Sequence, residues 1–136
     1  IQYVSSLAFQ SNENLFEINL NNNKRLKIPE FGSFIVSAPL KNLKLKNCDL
    51  HTLTPGMFQH LNNLKVLDLS VNNLTTLPTG LFTNLDKLHT LDLCGNNIVE
   101  MKLDIIEDLR KVSNLKLCNS NLEYSLSLNT SYSFIS

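Results

Sequence analysis

The feature that most constrains the fold of this chain is an internal repeat with an offset of 24 residues. Each copy carries two leucines separated by one residue, and the most regular copies place them at Leu43 and Leu45, Leu67 and Leu69, and Leu91 and Leu93. The second halves of the copies also agree, with large apolar side chains at Phe58, Phe82 and Ile106. Agreement at so many positions excludes chance and predicts a stacked array, because one copy cannot bury its own apolar face.

The paired leucines predict a short strand in every copy. Side chains two residues apart lie on the same face of a strand, and the constant offset predicts parallel neighbouring strands in one curved sheet. Asn72 and Asn96 follow their strands at a fixed distance, where a buried amide can bond the backbone of the adjacent loop. Cys48 occupies this position one copy earlier and offers only a weak donor, so we expect a weaker link there.

The chain length suits a single domain, which we expect to cover residues 1–136. Alternation from Tyr3 to Gln10, followed by a turn signal, predicts an N-terminal cap over residues 1–14, with a β-hairpin as one form that it could take. The predicted repeats occupy residues 15–39, 40–63, 64–87, 88–111 and 112–136, and the last of them is degenerate. Its final part is either a C-terminal cap or the end of a longer array.

The repeat unit, clearest from Leu64 to Asn84, combines its leucines with Asn72, Pro78 and Phe82 at fixed positions. This unit resembles the typical class of leucine-rich repeats, and the resemblance covers roughly residues 15–122. It extends to the ectodomains of Toll and Toll-like receptors and to secreted insect immune leucine-rich-repeat proteins. The resemblance implies a leucine-rich-repeat solenoid, an α/β-type horseshoe with short parallel strands on its concave face and a mostly irregular convex side.

Such a solenoid implies binding of another protein, which would be a receptor, a ligand or an immune factor. The resemblance favours an extracellular recognition module in innate immunity, which binds ligands as Toll-like receptors do or acts as their decoy. The alternative is a structural or matrix adaptor protein with no immune role. We expect a secreted chain or the ectodomain of a membrane receptor, because the chain starts at Ile1 and carries glycosylation sequons at Asn73 and Asn129. The alternative for each sequon is that its asparagine is an unmodified polar residue of a turn.

Side chains that flank the strand leucines point away from the core and are expected to form the concave face. The residues predicted to contact a partner are Lys44, Lys46, Val66, Asp68, Ser70, Thr90, Asp92 and Lys116. The alternative is a solvated face on which Lys44 pairs with Asp68 and Asp92 pairs with Lys116. For any single residue we favour the solvated alternative, but for the face as a whole we favour binding, because solenoids use their concave surfaces in this way.

Cys94 and Cys118 occupy the same phase of neighbouring copies and are therefore expected side by side. Their spacing permits a disulfide, but a bridge between adjacent parallel strands is geometrically awkward, and we favour two free thiols. Cys48 is expected to face the core. The outer edge of the last regular strand, Leu115 to Leu117, is predicted to be unpaired, and a second copy of the chain could bind there to form a homodimer.

Charge and composition argue against several other function classes. Twelve basic residues balance twelve acidic ones, which argues against binding of nucleic acid. No apolar run is long enough for insertion into a membrane. His51, His60 and His89 have neither the spacing of metal ligands nor a catalytic partner. We therefore expect no enzyme activity, no cofactor and no metal site.

Overall fold

The computed structural model describes residues 1–118 and, by its backbone, the strand at residues 134–135. The strands of these residues form one parallel sheet in chain order: β1 (Glu17–Asn19), β2 (Asn42–Lys44), β3 (Val66–Asp68), β4 (Thr90–Asp92), β5 (Asn114–Lys116) and β6 (Phe134–Ile135). Leu67 lies between Leu43 and Leu91 in the register of the sheet. The predicted solenoid of short parallel strands is confirmed, and we call each passage from one strand to the next a coil.

The core lies between the sheet and the opposite, convex side of the coils. The central strand leucines, Leu43, Leu67 and Leu91, are fully buried because every second side chain of a strand points inward. Phenylalanines at the same position of successive coils close the core from the convex side, and they are Phe34, Phe58 and Phe82. Full burial of one such side chain contributes about 1.5–3 kcal/mol, so stacking of the coils is a main source of stability.

Two buried asparagines link the turns that follow the strands. The Asn72 side-chain oxygen accepts hydrogen bonds from the backbone N–H groups of Cys48 and Leu50, both at 3.0 Å. Its nitrogen donates to backbone carbonyls of its own coil and of the preceding one. Asn96 repeats the arrangement one coil later, where it accepts from the Leu74 N–H at 3.0 Å. As predicted, these amides satisfy the turn backbone and hold neighbouring coils together.

Cys48 takes the asparagine position one coil earlier and makes a smaller link, also as predicted. Its thiol donates to the Leu20 carbonyl at 3.1 Å, but it has no amide oxygen for the N–H groups of that turn. Cys48 is buried and is a free thiol. Burial raises the pKa of the Cys48 thiol, because the thiolate would lose its hydration.

One residue per coil decides whether the convex side becomes helical. Gly56 and Gly80 occupy the same phase of the repeat with φ values of +68° and +78°. This left-handed conformation interrupts a right-handed helix. Asp104 takes that phase in the next coil, where the chain forms α1 (Leu103–Asp108) followed by a 3-10 turn (Leu109–Lys111). In the described residues the convex side is therefore mostly irregular, as predicted, and it is helical where the glycine is replaced.

The N-terminal segment is not a β-hairpin, so that expectation is wrong. Residues 5–12 form consecutive turns, and Phe9 packs against the core. Phe9 lies six residues before Leu15, just as Phe34 lies six residues before Leu40. The segment therefore adopts the conformation of the convex half of a repeat, and its alternating apolar residues serve that packing instead of a strand.

The outer edge of β5 is paired. The backbone of β6 lies parallel to it, with Phe134 beside Leu115. The prediction that this edge is open is therefore wrong, because the chain itself pairs with Leu115 and Lys116. The homodimer stays a prediction. Residues 119–133 of the predicted last repeat lie outside the described residues, and so does the choice between a cap and a longer array.

Candidate functional site

The outward side chains of β1 to β5 form one continuous surface, which we call the sheet face. Its first row contains Glu17, Asn42, Val66, Thr90 and Asn114, and its second row contains Asn19, Lys44, Asp68, Asp92 and Lys116. Members of a row are neighbours across parallel strands, which lie about 4.8 Å apart. Six of the eight residues predicted to contact a partner are therefore brought together on this face.

The two ends of the sheet face each carry an ion pair. At one end the Lys44 ammonium lies 3.0 Å from the Glu17 carboxylate, and this hydrogen bond is the main reason why the pKa of the Glu17 carboxyl is lowered. At the other end Lys116 lies 3.6 Å from Asp92, as predicted. The predicted pair of Lys44 with Asp68 is wrong, because Lys44 binds Glu17 instead.

The Asp68 carboxylate accepts hydrogen bonds from a nearby residue of its own chain. Its Oδ1 atom accepts from the Ser70 N–H at 2.9 Å and from the Ser70 hydroxyl at 2.6 Å. Asp92 and Asn19 each accept the backbone N–H two residues ahead, at 3.0 Å. These oxygens of the second row close the turn that follows the strand, so the two aspartates have a structural role whatever else they bind.

Two of the predicted contact residues lie outside the two rows. Ser70 is 5% exposed, contrary to the expectation that it points outward, because its hydroxyl turns back to Asp68. Lys46 is exposed two residues beyond the end of β2, at the rim of the sheet face. The accessible centre of the face is therefore formed by β3 and β4 and not by the turns that follow them.

The repeat pattern is also found by comparison with known families. Residues 38–98 match the family model described as leucine rich repeat. The match and the parallel sheet together identify the fold as a leucine-rich-repeat solenoid. The matched segment contains β2, β3 and β4, and hence the centre of the sheet face. Leucine-rich repeats are generally non-enzymatic modules that bind other proteins. Comparison with curated proteins gives no significant match.

Sequence reasoning missed two members of the sheet face, Glu17 and Asn19. Both belong to the first leucine-rich repeat of the chain, and Glu17 supplies the ion-pair partner of Lys44. The signal was present, because Ile18 and Leu20 repeat the spacing of Leu43 and Leu45 and their flanking residues share one phase. Extending the rows to this weaker copy would have found both residues.

Cys94 and Cys118 form a disulfide, and their Cα atoms are 4.4 Å apart. The expectation of two free thiols is therefore wrong. Both cysteines lie two residues beyond their strands, where the leucine-rich repeat turns and the geometry of a parallel strand pair no longer constrains the chain. The Gly95 N–H donates to the Cys118 carbonyl at 2.9 Å and holds the two turns together.

The sequon asparagine Asn73 is half-buried on the turn after β3. Its Nδ2 atom, to which a glycan would be attached, donates to the Asp49 carboxylate at 2.6 Å. A glycan at this position would have to replace that hydrogen bond. The second sequon, at Asn129, lies outside the described residues.

Two other features bear on the kind of site that the described part of this chain could hold. None of its helices has the length and apolar composition needed to cross a bilayer. Among the same residues, no three His, Cys, Asp or Glu side chains are grouped as ligands of a metal ion.

Proposed function

We propose that this leucine-rich-repeat protein is an extracellular recognition module that binds a protein partner through the centre of its sheet face. The observation that carries the proposal is the register of β3 and β4, which places Val66 beside Thr90 and Asp68 beside Asp92. The ion pair of Glu17 with Lys44 lies on one side of this centre, and on the other side Lys116 binds Asp92 of the centre itself. Val66 is the apolar side chain of this centre, and protein interfaces concentrate their binding energy in central positions from which the surrounding residues exclude water.

The residues beneath and beside the sheet face hold it rigid before a partner binds. The strand leucines are buried beneath it, and Asn72 and Asn96 fix the turns at its edge. A surface that is rigid before binding loses less conformational entropy on association. Asp68 keeps its Oδ2 atom without a partner among the described residues, so this oxygen is available to a donor of the bound protein.

The extracellular location is supported by the disulfide between Cys94 and Cys118, because such bonds persist mainly in oxidising compartments. The sequon at Asn73 supports the same location. The resemblance of the repeat unit to Toll and Toll-like receptor ectodomains supports a role in innate immunity. There the protein would bind ligands in the manner of these receptors or act as their decoy.

A matched pair of valine variants tests the proposed face. Val66→Arg places a long cation at its centre, and Val99→Arg places the same side chain at an exposed position outside the strands. Neither valine belongs to the buried core, so both variants are expected to melt close to the wild type. We expect proteins captured from extracellular fluid by the wild type to be captured by Val99→Arg and lost with Val66→Arg.

The same capture experiment can overturn the proposal. Equal recovery of the same proteins by Val66→Arg, Val99→Arg and the wild type would place the partner elsewhere on the molecule. Circular dichroism melting curves of the three proteins check that a loss of capture reflects the surface and not unfolding.

A further inference from the structure

A further row of residues, distinct from the two rows of the sheet face, lies just before the strands begin. Backbone hydrogen bonds align Phe16, Lys41, Lys65 and His89 on consecutive coils. The Lys41 N–H donates to the Phe16 carbonyl at 3.0 Å, and the Lys65 N–H donates to the Lys41 carbonyl at 2.8 Å. The His89 N–H donates to the Lys65 carbonyl at 3.0 Å. Since coils lie about 4.8 Å apart, the two lysines are immediate neighbours.

These lysines border an open groove of about 620 Å³. A third lysine, Lys87, lines the same groove and is held in place by Asn63. The Asn63 Oδ1 atom accepts from the Lys87 ammonium at 2.6 Å, while its Nδ2 atom donates to the Ala38 carbonyl at 2.7 Å. The groove therefore presents three cations, one of which is positioned by a second side chain.

The positive charge of the groove is not neutralised. Among the described residues, Lys41, Lys65 and Lys87 have no carboxylate partner, although lysines elsewhere on the solenoid do. Glu13 is the acidic member of the lining, which leaves an excess of two positive charges. The chain as a whole is neutral, so this excess is local. A concave surface of one sign attracts a partner of the opposite sign.

One end of the groove is aromatic. The Phe16 side chain is 54% exposed, and the Lys41 ammonium lies 5.4 Å from the centre of its ring. The rest of the ring remains accessible to an apolar side chain. A phosphate or sulfate ion would leave this ring exposed to water, whereas a peptide with an apolar residue would cover it.

We propose that this groove binds an extended acidic peptide segment of a protein partner. The peptide carries an apolar residue against Phe16, followed by carboxylates on alternate positions that reach the lysines. Alternate side chains of an extended peptide lie about 6.6 Å apart on one face, a spacing that flexible lysines on adjacent coils can span. The site is separate from the sheet face, because its lining residues precede the strands.

A labelled peptide tests the groove directly. The probe is a fluorescein-labelled heptapeptide with one phenylalanine followed by glutamates at alternate positions, and its control carries glutamines in their place. We expect the wild type to bind the glutamate peptide more tightly than the glutamine peptide in fluorescence anisotropy, with an affinity that falls as salt rises. The double variant Lys41→Glu with Lys65→Glu should weaken binding at least about tenfold.

Four comparisons decide the outcome. The double variant Lys24→Glu with Lys102→Glu has the same net charge but changes exposed lysines outside the groove, and it should keep the affinity. Val66→Arg, which adds a cation beside Lys65, should not weaken binding, and this result separates the site from the sheet face. Equal losses in the two lysine variants, loss in Val66→Arg, or equal affinity for the glutamine peptide would each overturn the proposal. So would complete competition by inorganic phosphate at equal carboxylate and phosphate concentrations.

Discussion

At the scale of single residues, Asn72 shows how one side chain can serve the backbone of two coils. It accepts from two N–H groups of the preceding turn and donates to carbonyls on both sides, while being 5% exposed. Asn73, its neighbour in sequence, makes an exposed side-chain hydrogen bond to Asp49 instead. The two asparagines therefore differ in what is lost when the amide is removed.

We expect Asn72→Ala to lower the free energy of unfolding by about 1–3 kcal/mol, because buried N–H and carbonyl groups lose their partners. Asn73→Ala should cost less, because water can replace its exposed bond to Asp49. Urea denaturation of the two variants measures the difference. Equal losses at the two positions would mean that the asparagine ladder contributes little to stability.

The sequence predicted the role of Asn72 but not that of Asp68. The period of the repeat alone places Asn72 at the inward end of the turn, where the backbone needs partners. Asp68 points outward, and its position in the repeat is compatible with two partners. These are the neighbouring lysine and the N–H group two residues ahead. The choice depends on the side-chain rotamer and on the presence of Glu17 beside Lys44, which no spacing rule contains.

At the scale of elements, the turns after the strands share a left-handed residue at one position of the repeat. Asn22, Asn47, Val71 and Gly95 share this phase, and their φ values are 65°, 57°, 55° and 70°. Each donates its N–H to the next coil, for example from Gly95 to Cys118. Glycine and asparagine adopt this conformation readily, whereas a β-branched residue such as Val71 is strained in it.

Alanine substitutions at Gly80 and Gly95 distinguish the cost of backbone strain from the cost of a steric contact. A Cβ atom at Gly80 would meet only the Thr83 hydroxyl, at 3.9 Å, but at Gly95 it would meet the Val71 Cα at 3.3 Å. Gly80→Ala should therefore cost about 1–2 kcal/mol from the left-handed φ alone. Gly95→Ala should cost more, because the neighbouring turn must also move. Thermal unfolding of both variants tests the order, and a smaller loss at Gly95 would contradict the close stacking of the turns.

Elements were predictable where they repeat and unpredictable where they do not. Strands β2 to β4 follow from the leucine spacing, and the mostly irregular convex side follows from the resemblance. The N-terminal segment lacks that spacing, so alternating residues around Phe9 suggested a hairpin. The helix α1 forms in the coil that has Asp104 where earlier coils have Gly32, Gly56 and Gly80. This difference becomes visible only when the copies are aligned with one another.

At the scale of the whole molecule, stability is distributed along one dimension. In the part of the chain that the structure describes, each strand pairs only with its neighbours in sequence, from β1 to β6. Central coils are covered on both sides, whereas coils near an end depend on fewer contacts. Local opening is therefore expected to begin near the ends of a solenoid and to be resisted by links between neighbouring coils.

The disulfide between Cys94 and Cys118 is such a link, and it joins the coils of β4 and β5. A bridge that closes a loop of this length stabilises a protein by about 3 kcal/mol, mainly by restricting the unfolded chain. We expect reduction to lower the unfolding free energy by roughly that amount. The double variant Cys94→Ala with Cys118→Ala should show no response to the same reductant.

Hydrogen exchange locates the effect of reduction within the solenoid. Leu45 and Leu93 occupy the same phase, and their N–H groups donate to the Asp68 and Lys116 carbonyls of the next coil, both at 2.8 Å. Reduction should accelerate exchange at Leu93, which lies beside the bridge, more than at Leu45, which lies two coils away from it. Equal acceleration at both amides would show that the coils open together, and the bridge would then stabilise the whole array and not its end.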